Sequence, residues 1–347
     1  MVDGRHVAGD VSVDVRSGVV DAVGLSPPGR GTAIPGLVDL QVNGGGSCDL
    51  RTAGVEEVRE LAVDLAAAGA TAFQPTIHSA PVEVYRSALS RFDGARSSGH
   101  GGARILGAHL EGPCLAPEWA GAHDPAHLLP VDPALLDDLL SAGRVAMVTI
   151  APELDGALDV ISDLCRRGVV VAIGHTDADA DTVRAALDRG ATYLTHCWNA
   201  HRRFTPRDPG PAGVALSDPR LTVGLIADGQ HVAVETVLLT LGAAAGRVAL
   251  TTDSVAWTDD PGVADAPLRG GRCSPVELLR RLRSSGLGWD VVVDACCTVP
   301  ARVAGLGPHT LEPGTTADLV VLDDALAVVR TLVGGVEVAA PGAPAPD

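Results

Sequence analysis

Apolar and polar residues alternate over the first 35 positions, as in VSVDVRSGVVDAVG, and again over about the last 35, as in ADLVVLDDALAVVRTLVGGVEV. A period of two, broken by Gly and Pro, predicts short antiparallel strands at both ends of the chain. The region between reads differently. Eight short apolar runs appear there: GLVDLQVN (36–43), ATAFQPT (70–76), RILGAHLE (104–111), RVAMVTIAP (144–152), VVVAIGH (169–175), ATYLTHC (191–197), LTVGLIAD (221–228) and RVALTTD (247–253). They alternate with segments such as VEEVRELAVDLAAAG, ALDVISDLCRRG and ADTVRAALDRG, which have helical spacing and stop at Gly.

Strands that alternate with helices imply βα units and a parallel sheet. Eight such units predict an α/β fold, a (β/α)8 TIM-type barrel. An open doubly wound sheet is the alternative, but no G-x-G-x-x-G follows the first strand. The two end segments are too short to fold alone. They are expected to pair with each other as a small β-domain beside the barrel. The tail APGAPAPD reads as disordered.

Barrel chemistry gathers at the C-terminal ends of the strands. Here those ends carry Gln41 and Asn43, Thr76, His109 and Glu111, His175, His196, Asp228 with His231 beyond it, and Asp253. A carboxylate at the last inward position of an apolar strand needs an explanation, because buried Glu is paired or bound to a metal. Glu111, His175 and His196 supply one carboxylate and two imidazoles, a set that suits a catalytic zinc ion with one open position. Taken singly, each His reads more readily as a hydrogen-bonded core or loop residue than as a ligand. Asp253 ends the eighth strand, beside the first. It reads either as a proton shuttle for a metal-activated water or as a cap on the following segment. Arg202, Arg203 and Arg207 form a basic loop after His196. They suit bidentate phosphate recognition or make a solvated charge run.

Composition narrows the partners. The 347 residues are 46% apolar, so they can bury a large core. The net charge of −17 argues against nucleic acid and anionic membrane, and an anionic substrate would need a local basic pocket. Seven Cys, an odd number, fit reduced thiols in a cytoplasm. The first ten residues hold no apolar leader, and no run is long enough to span a membrane. The chain contains no Lys, which removes Schiff-base and carbamylated-lysine chemistry.

Several motifs occur together in one order: PGLVDLQVNGGG (35–46), HLEGP (109–113), GAHDP (121–125), GHT (174–176), THCWNA (195–200), RDPGPAG (207–213), ADGQHV (227–232), TTDS (251–254) and LEPGTTADLVVLD (311–323). In these motifs the chain resembles the N-acetylglucosamine-6-phosphate deacetylases of the amidohydrolase superfamily. The resemblance implies a hydrolase barrel at 36–310 and a small β-sandwich made of 1–35 and 311–347. It implies Glu111, His175 and His196 as ligands of one divalent metal per subunit, Zn2+ first, with Fe2+ also suited. It implies Asp253 as catalytic base and acid, and His123 as the group that polarises the acetamide carbonyl. Asn199, Ala200 and His231 are then substrate contacts. Arg207 reaches the phosphate in a neighbouring subunit, which implies a homodimer.

Gln41 and Asn43 stand where many superfamily barrels carry His-x-His. They are expected near the substrate and, as neutral amides, make a second metal unexpected. PLRGG (267–271), with Arg269, and His201-Arg202-Arg203 differ from the family pattern. They leave another acyl group or another amino sugar phosphate open, as well as a cyclic-amide hydrolase. A non-catalytic sugar-phosphate sensor is the rival from another class.

Overall fold

The first central run becomes strand β1 (Leu37–Val42), buried at every position. A strand buried on both faces belongs in a parallel sheet covered by helices. Seven more follow: β2 (Ala70–His78), β3 (Ala108–Glu111), β4 (Val145–Ile150), β5 (Val170–Ile173), β6 (Tyr193–Leu194), β7 (Thr222–Leu225) and β8 (Val248–Leu250). Each of the eight apolar runs holds one of them. This computed structural model describes residues 8–27, 29–97, 101–256 and 270–338. Arg269, most of PLRGG and the tail APGAPAPD lie outside the described residues.

All eight strands are parallel and pair in chain order. The sheet closes on itself between β8 and β1. Val42 forms a parallel bridge with Ser254, and the Asn43 N–H donates to the Ser254 carbonyl at 2.7 Å. Asp39 of β1 stitches the same seam by accepting from the hydroxyls of Thr251 (2.7 Å) and Thr252 (2.5 Å). The fold is therefore a (β/α)8 barrel.

A helix follows every strand, and its buried positions show why it forms. Ala157–Arg166 buries Ala157, Val160, Ile161 and Leu164, one face at helical spacing. Each fully buried Val, Leu or Ile contributes roughly 1.5–3 kcal/mol. The barrel interior is filled, not hollow. Val38, Leu40, Ala72, Met147, Ala172, Tyr193 and Ala249 pack there from six different strands. Gly224 of β7 makes room for the Tyr193 ring, since a Cβ on it would come within 2.4 Å of the phenol oxygen.

Above this apolar layer lies a polar one. The His109 Nδ1–H donates to the Leu40 carbonyl (3.2 Å), and Nε2 accepts from the Thr149 hydroxyl (2.7 Å), which meets Thr195 at 2.8 Å. Burial pushes the His109 imidazole down to about 4, so the ring is neutral at ordinary pH.

The chain ends meet. Thr32–Pro35, Leu319–Leu322, Val328–Val333 and Val336–Val338 form one antiparallel sheet, and Asp10–Asp14 pairs with Val19–Leu25 in another. A Val19–Thr316 bridge links the two. Val11, Val13 and Val23 of the hairpin pack on Leu311, Leu319 and Leu332, a small apolar core separate from the barrel's. No helix among the described residues is long and apolar enough to cross a membrane.

Candidate metal centre

Glu111 is the last residue of β3, while His175 and His196 each lie two residues past the ends of β5 and β6. The three side chains converge and are buried. Glu111 Oε1 lies 2.9 Å from His196 Nε2 and 3.2 Å from His175 Nε2, and the two Nε2 atoms are 3.1 Å apart. The tautomer of His175 follows from its other nitrogen. Nδ1 lies 2.8 Å from the carbonyl of Trp119, which can only accept, so Nδ1 carries the proton. A neutral His175 then aims a lone pair at a carboxylate and a second imidazole. A cation at the point of convergence resolves that clash of acceptors. One carboxylate oxygen and two imidazole nitrogens are a donor set that suits Zn2+ and other borderline divalent ions. The carbonyl behind His175 is the usual outer partner of a ligating imidazole.

Burial by itself raises the carboxyl pKa of Glu111, but the hydrogen bonds offered by the surrounding imidazoles, that of His123 first, outweigh it and hold the group well below the usual carboxylate range. The backbone around the centre is strained. Five of the six non-glycine residues with positive φ among the described residues are His175 (48°), His196 (28°), Trp198 (81°), Ala200 (50°) and Asp253 (49°). Such conformations cost on the order of 1–3 kcal/mol each and gather where function needs a side chain aimed.

Around these three residues the structure assembles further groups. The Gln41 amide donates to Glu111 Oε1 at 2.9 Å, and the Asn43 amide donates to Asp253 Oδ1 at 2.8 Å. Both β1 amides thus orient site carboxylates, a role the sequence reading, which placed them near the substrate, did not foresee. Burial and the facing charge of Glu111 push the Asp253 carboxyl well above its ordinary range, against the Asn43 hydrogen bond.

His123 packs edge-on to His175, with ring centroids 4.3 Å apart. The Ser79 N–H donates to its Nδ1 at 3.1 Å, which leaves the proton on Nε2. That nitrogen lies 3.6 Å from Glu111 Oε2, so His123 offers a donor to the same space. His231 Nδ1 is 2.8 Å from Asp228 Oδ2, and Asp228 Oδ1 accepts from the backbone N–H of Gln230 and His231. The Asn199 backbone N–H donates to the His196 carbonyl at 3.0 Å, and its side-chain amide makes only long contacts, 3.4 and 3.5 Å, to the carbonyls of His196 and Cys197. Ala200 follows it in the left-handed region.

The basic loop divides. Arg202 is committed to Asp208 (2.6 Å) and Asp177 (3.2 Å), whereas Arg203 and Arg207 are exposed. Arg207, a predicted site residue, is exposed on this loop and not among the buried groups of the metal centre. GGG (44–46) serves a turn: a Cβ on Gly44 would lie 2.1 Å from the Cys48 carbonyl. The sequence reading missed Ser79 and the Trp119 carbonyl, and it read His201 as a departure from the family pattern, whereas the fold uses it to accept from the Trp198 N–H at 2.8 Å. Ser79 is the one with a signal, a polar residue directly after a strand end.

No family model matches the chain. Bovine (Bos taurus) N-acetylglucosamine-6-phosphate deacetylase is 34% identical over 335 residues, spanning 87% of this chain and 82% of that protein. The chain belongs to the N-acetylglucosamine-6-phosphate deacetylase family. The family's fold is shared in three dimensions: the deacetylase from Mycobacterium smegmatis superposes with a TM-score of 0.87 at 34% identity, covering 95% of each chain. A relative with another named sugar also matches. N-acetylgalactosamine-6-phosphate deacetylase of Escherichia coli O157:H7 is 32% identical over 324 residues, covering 87% of this chain and 86% of that one. Family membership and the convergent Glu111, His175 and His196 point to the same end of the barrel.

Proposed function

We propose that this chain hydrolyses the acetamide of N-acetylglucosamine 6-phosphate, giving glucosamine 6-phosphate and acetate. The observation that carries the reading is the buried Glu111–His175–His196 set with the Asp253 carboxyl facing Glu111. A divalent ion held by those three residues, Zn2+ first and Fe2+ as the alternative, supplies Lewis acidity toward the carbonyl and acidifies water.

The protein groups do the rest. Asp253 takes a proton from the attacking water and returns it to the leaving amine. Asn43 fixes which carboxylate oxygen is free to do so. The His123 Nε2–H donates to the carbonyl oxygen as negative charge grows on it. Gln41 keeps Glu111 aimed. His231, steadied by Asp228, and the Asn199–Ala200 segment hold the sugar phosphate, while Arg207 reaches the phosphate bound to the partner subunit of a homodimer.

Residues 36–310 form the hydrolase barrel, and 1–35 with 311–347 form the small β-sandwich. The seven cysteines are free thiols, which supports a cytoplasmic setting. The galactosamine-named relative favours a second reading, the C4-epimeric sugar phosphate.

Acetate release from protein loaded with one equivalent of Zn2+ tests both readings. The expected order is N-acetylglucosamine 6-phosphate, then its galactosamine epimer, then unphosphorylated N-acetylglucosamine. Faster release from the epimer would move the assignment to the second reading. No release from any of the three would end both.

A further inference from the structure

Arg202 stands at the centre of a hydrogen-bonded belt around the barrel mouth. On the loop after β6, its Nε donates to Asp208 Oδ2 at 2.6 Å. Nη1 donates across to the next loop, to the carbonyl and to Oδ2 of Asp177, both at 3.2 Å. Asp177 lies two residues past the ligand His175, and its Oδ1 accepts from the Trp119 indole N–H at 2.9 Å. The carbonyl of Trp119 is the acceptor that fixes the His175 ring. The backbone joins the same two loops, since the Arg202 N–H donates to the Thr176 carbonyl at 2.9 Å. From the loop after β4, Glu153 accepts from the Asp177 N–H at 2.6 Å and from the Thr176 hydroxyl at 2.5 Å. Loops from β3, β4, β5 and β6 are therefore held together, and one guanidinium links the last two.

The chemistry of the side chain suits the task. A guanidinium presents donors along two edges of a rigid plane, so it can hold two carboxylates in different directions at once. An ammonium is a point charge. The side chains of Arg202, Asp177 and Asp208 are 36%, 49% and 34% exposed, so water screens their attraction. Such a clasp adds little to global stability. Its consequence is local, the relative placement of two loops.

We propose that Arg202 is a positioning residue that clasps the Asn199–Ala200 loop to the loop of His175 and so sets the phosphate side of the site against the metal ligands. Its Nε and Nη1 donors are committed to Asp208 and Asp177, and in this role it takes no direct part in binding phosphate. The kinetic part of this inference rests on the sugar-phosphate reading above.

The test compares full-length wild type with Arg202→Ala, Arg202→Lys and Asp177→Asn. Backbone amide hydrogen exchange is measured by mass spectrometry without substrate. Arg202→Ala is expected to speed exchange in 199–208 by about tenfold with little change in thermal midpoint. With N-acetylglucosamine 6-phosphate it should raise KM about tenfold while kcat changes by less than about threefold. Arg202→Lys should restore neither quantity. Asp177→Asn keeps the fold's shape and should move both in the same direction by less.

A rise in KM with unchanged exchange, or rescue by Arg202→Lys, would mark direct phosphate contact and overturn the proposal. Unchanged exchange and unchanged KM would overturn it as well. A wild type that does not turn over the sugar phosphate removes the functional reading, and the exchange comparison still decides the clasp.

Discussion

His109 and His175 are both buried histidines on the inner side of the same barrel, yet one is structural and the other is a ligand candidate. Both nitrogens of His109 are answered by groups of complementary character, a carbonyl that accepts and a hydroxyl that donates. His175 has only one nitrogen so answered, and its second faces a carboxylate and another imidazole. The seam between β1 and β8 repeats the contrast with two aspartates. Asp39 takes four donors, from the hydroxyls of Thr251 and Thr252 and the N–H groups of Gln41 and Thr252. The Asp253 carboxylate is held by the amide of Asn43 and faces Glu111. Burial of a polar group thus marks chemistry where the protein leaves its hydrogen-bonding capacity unmatched.

The strongest way to break this comparison is Asp253→Asn. Turnover should fall by about a thousandfold, as expected for loss of a general base and acid, while bound metal stays at one per chain by elemental analysis. Near-normal turnover would remove the distinction between the two aspartates. Next comes the structural partner. His109→Ala takes the imidazole away from the Leu40 carbonyl and the Thr149 hydroxyl and leaves a cavity beside them. It should cost about 3 kcal/mol in urea unfolding without changing metal stoichiometry. Loss of metal from that variant would mean that the two layers are one site. Asn43→Ala frees the Asp253 carboxylate without removing it, so kcat should drop about tenfold and KM should stay nearly constant.

The smallest effect is graded by pH. Burial pushes His109 and His201 down from 6.5 to about 4 in the folded chain. In the unfolded chain they titrate near 6.5, so the unfolded state binds more protons between these values and stability rises with pH there. The contribution is fully present above 6.5 and is lost progressively as pH falls toward 4. Urea midpoints at pH 7 and pH 5 measure it, and a midpoint that does not move would deny that these imidazoles are held neutral.

Much of this was legible before any coordinates. Hydrophobic period separated the strand-rich ends from the βα centre, and each predicted apolar run holds one strand of the barrel. The strand-end rule nominated Glu111, His175, His196 and Asp253. The same rule also nominated His109 and Thr76, which the fold uses for support: Thr76 Oγ1 accepts from the Val42 N–H at 3.1 Å. It passed over the Trp119 carbonyl, because a backbone acceptor carries no residue type to read. It grouped Arg202 with Arg203 and Arg207 by charge alone, since Asp177 is 25 residues away along the chain.

The sequence by itself determined the order of elements, the chemistry available at each strand end and the net charge of −17. These depend on local period, residue type and summed charge, which need no long-range contact. Only the tertiary structure decided which polar groups are satisfied. Barrel closure brings β8 against β1, and that placement saturates Asp39 and ties Asn43 to Asp253, while the fold sets Glu111 against the His175 and His196 imidazoles. Hydrogen bonds reach about 3 Å and have direction, so a partner can be assigned only after the chain has folded.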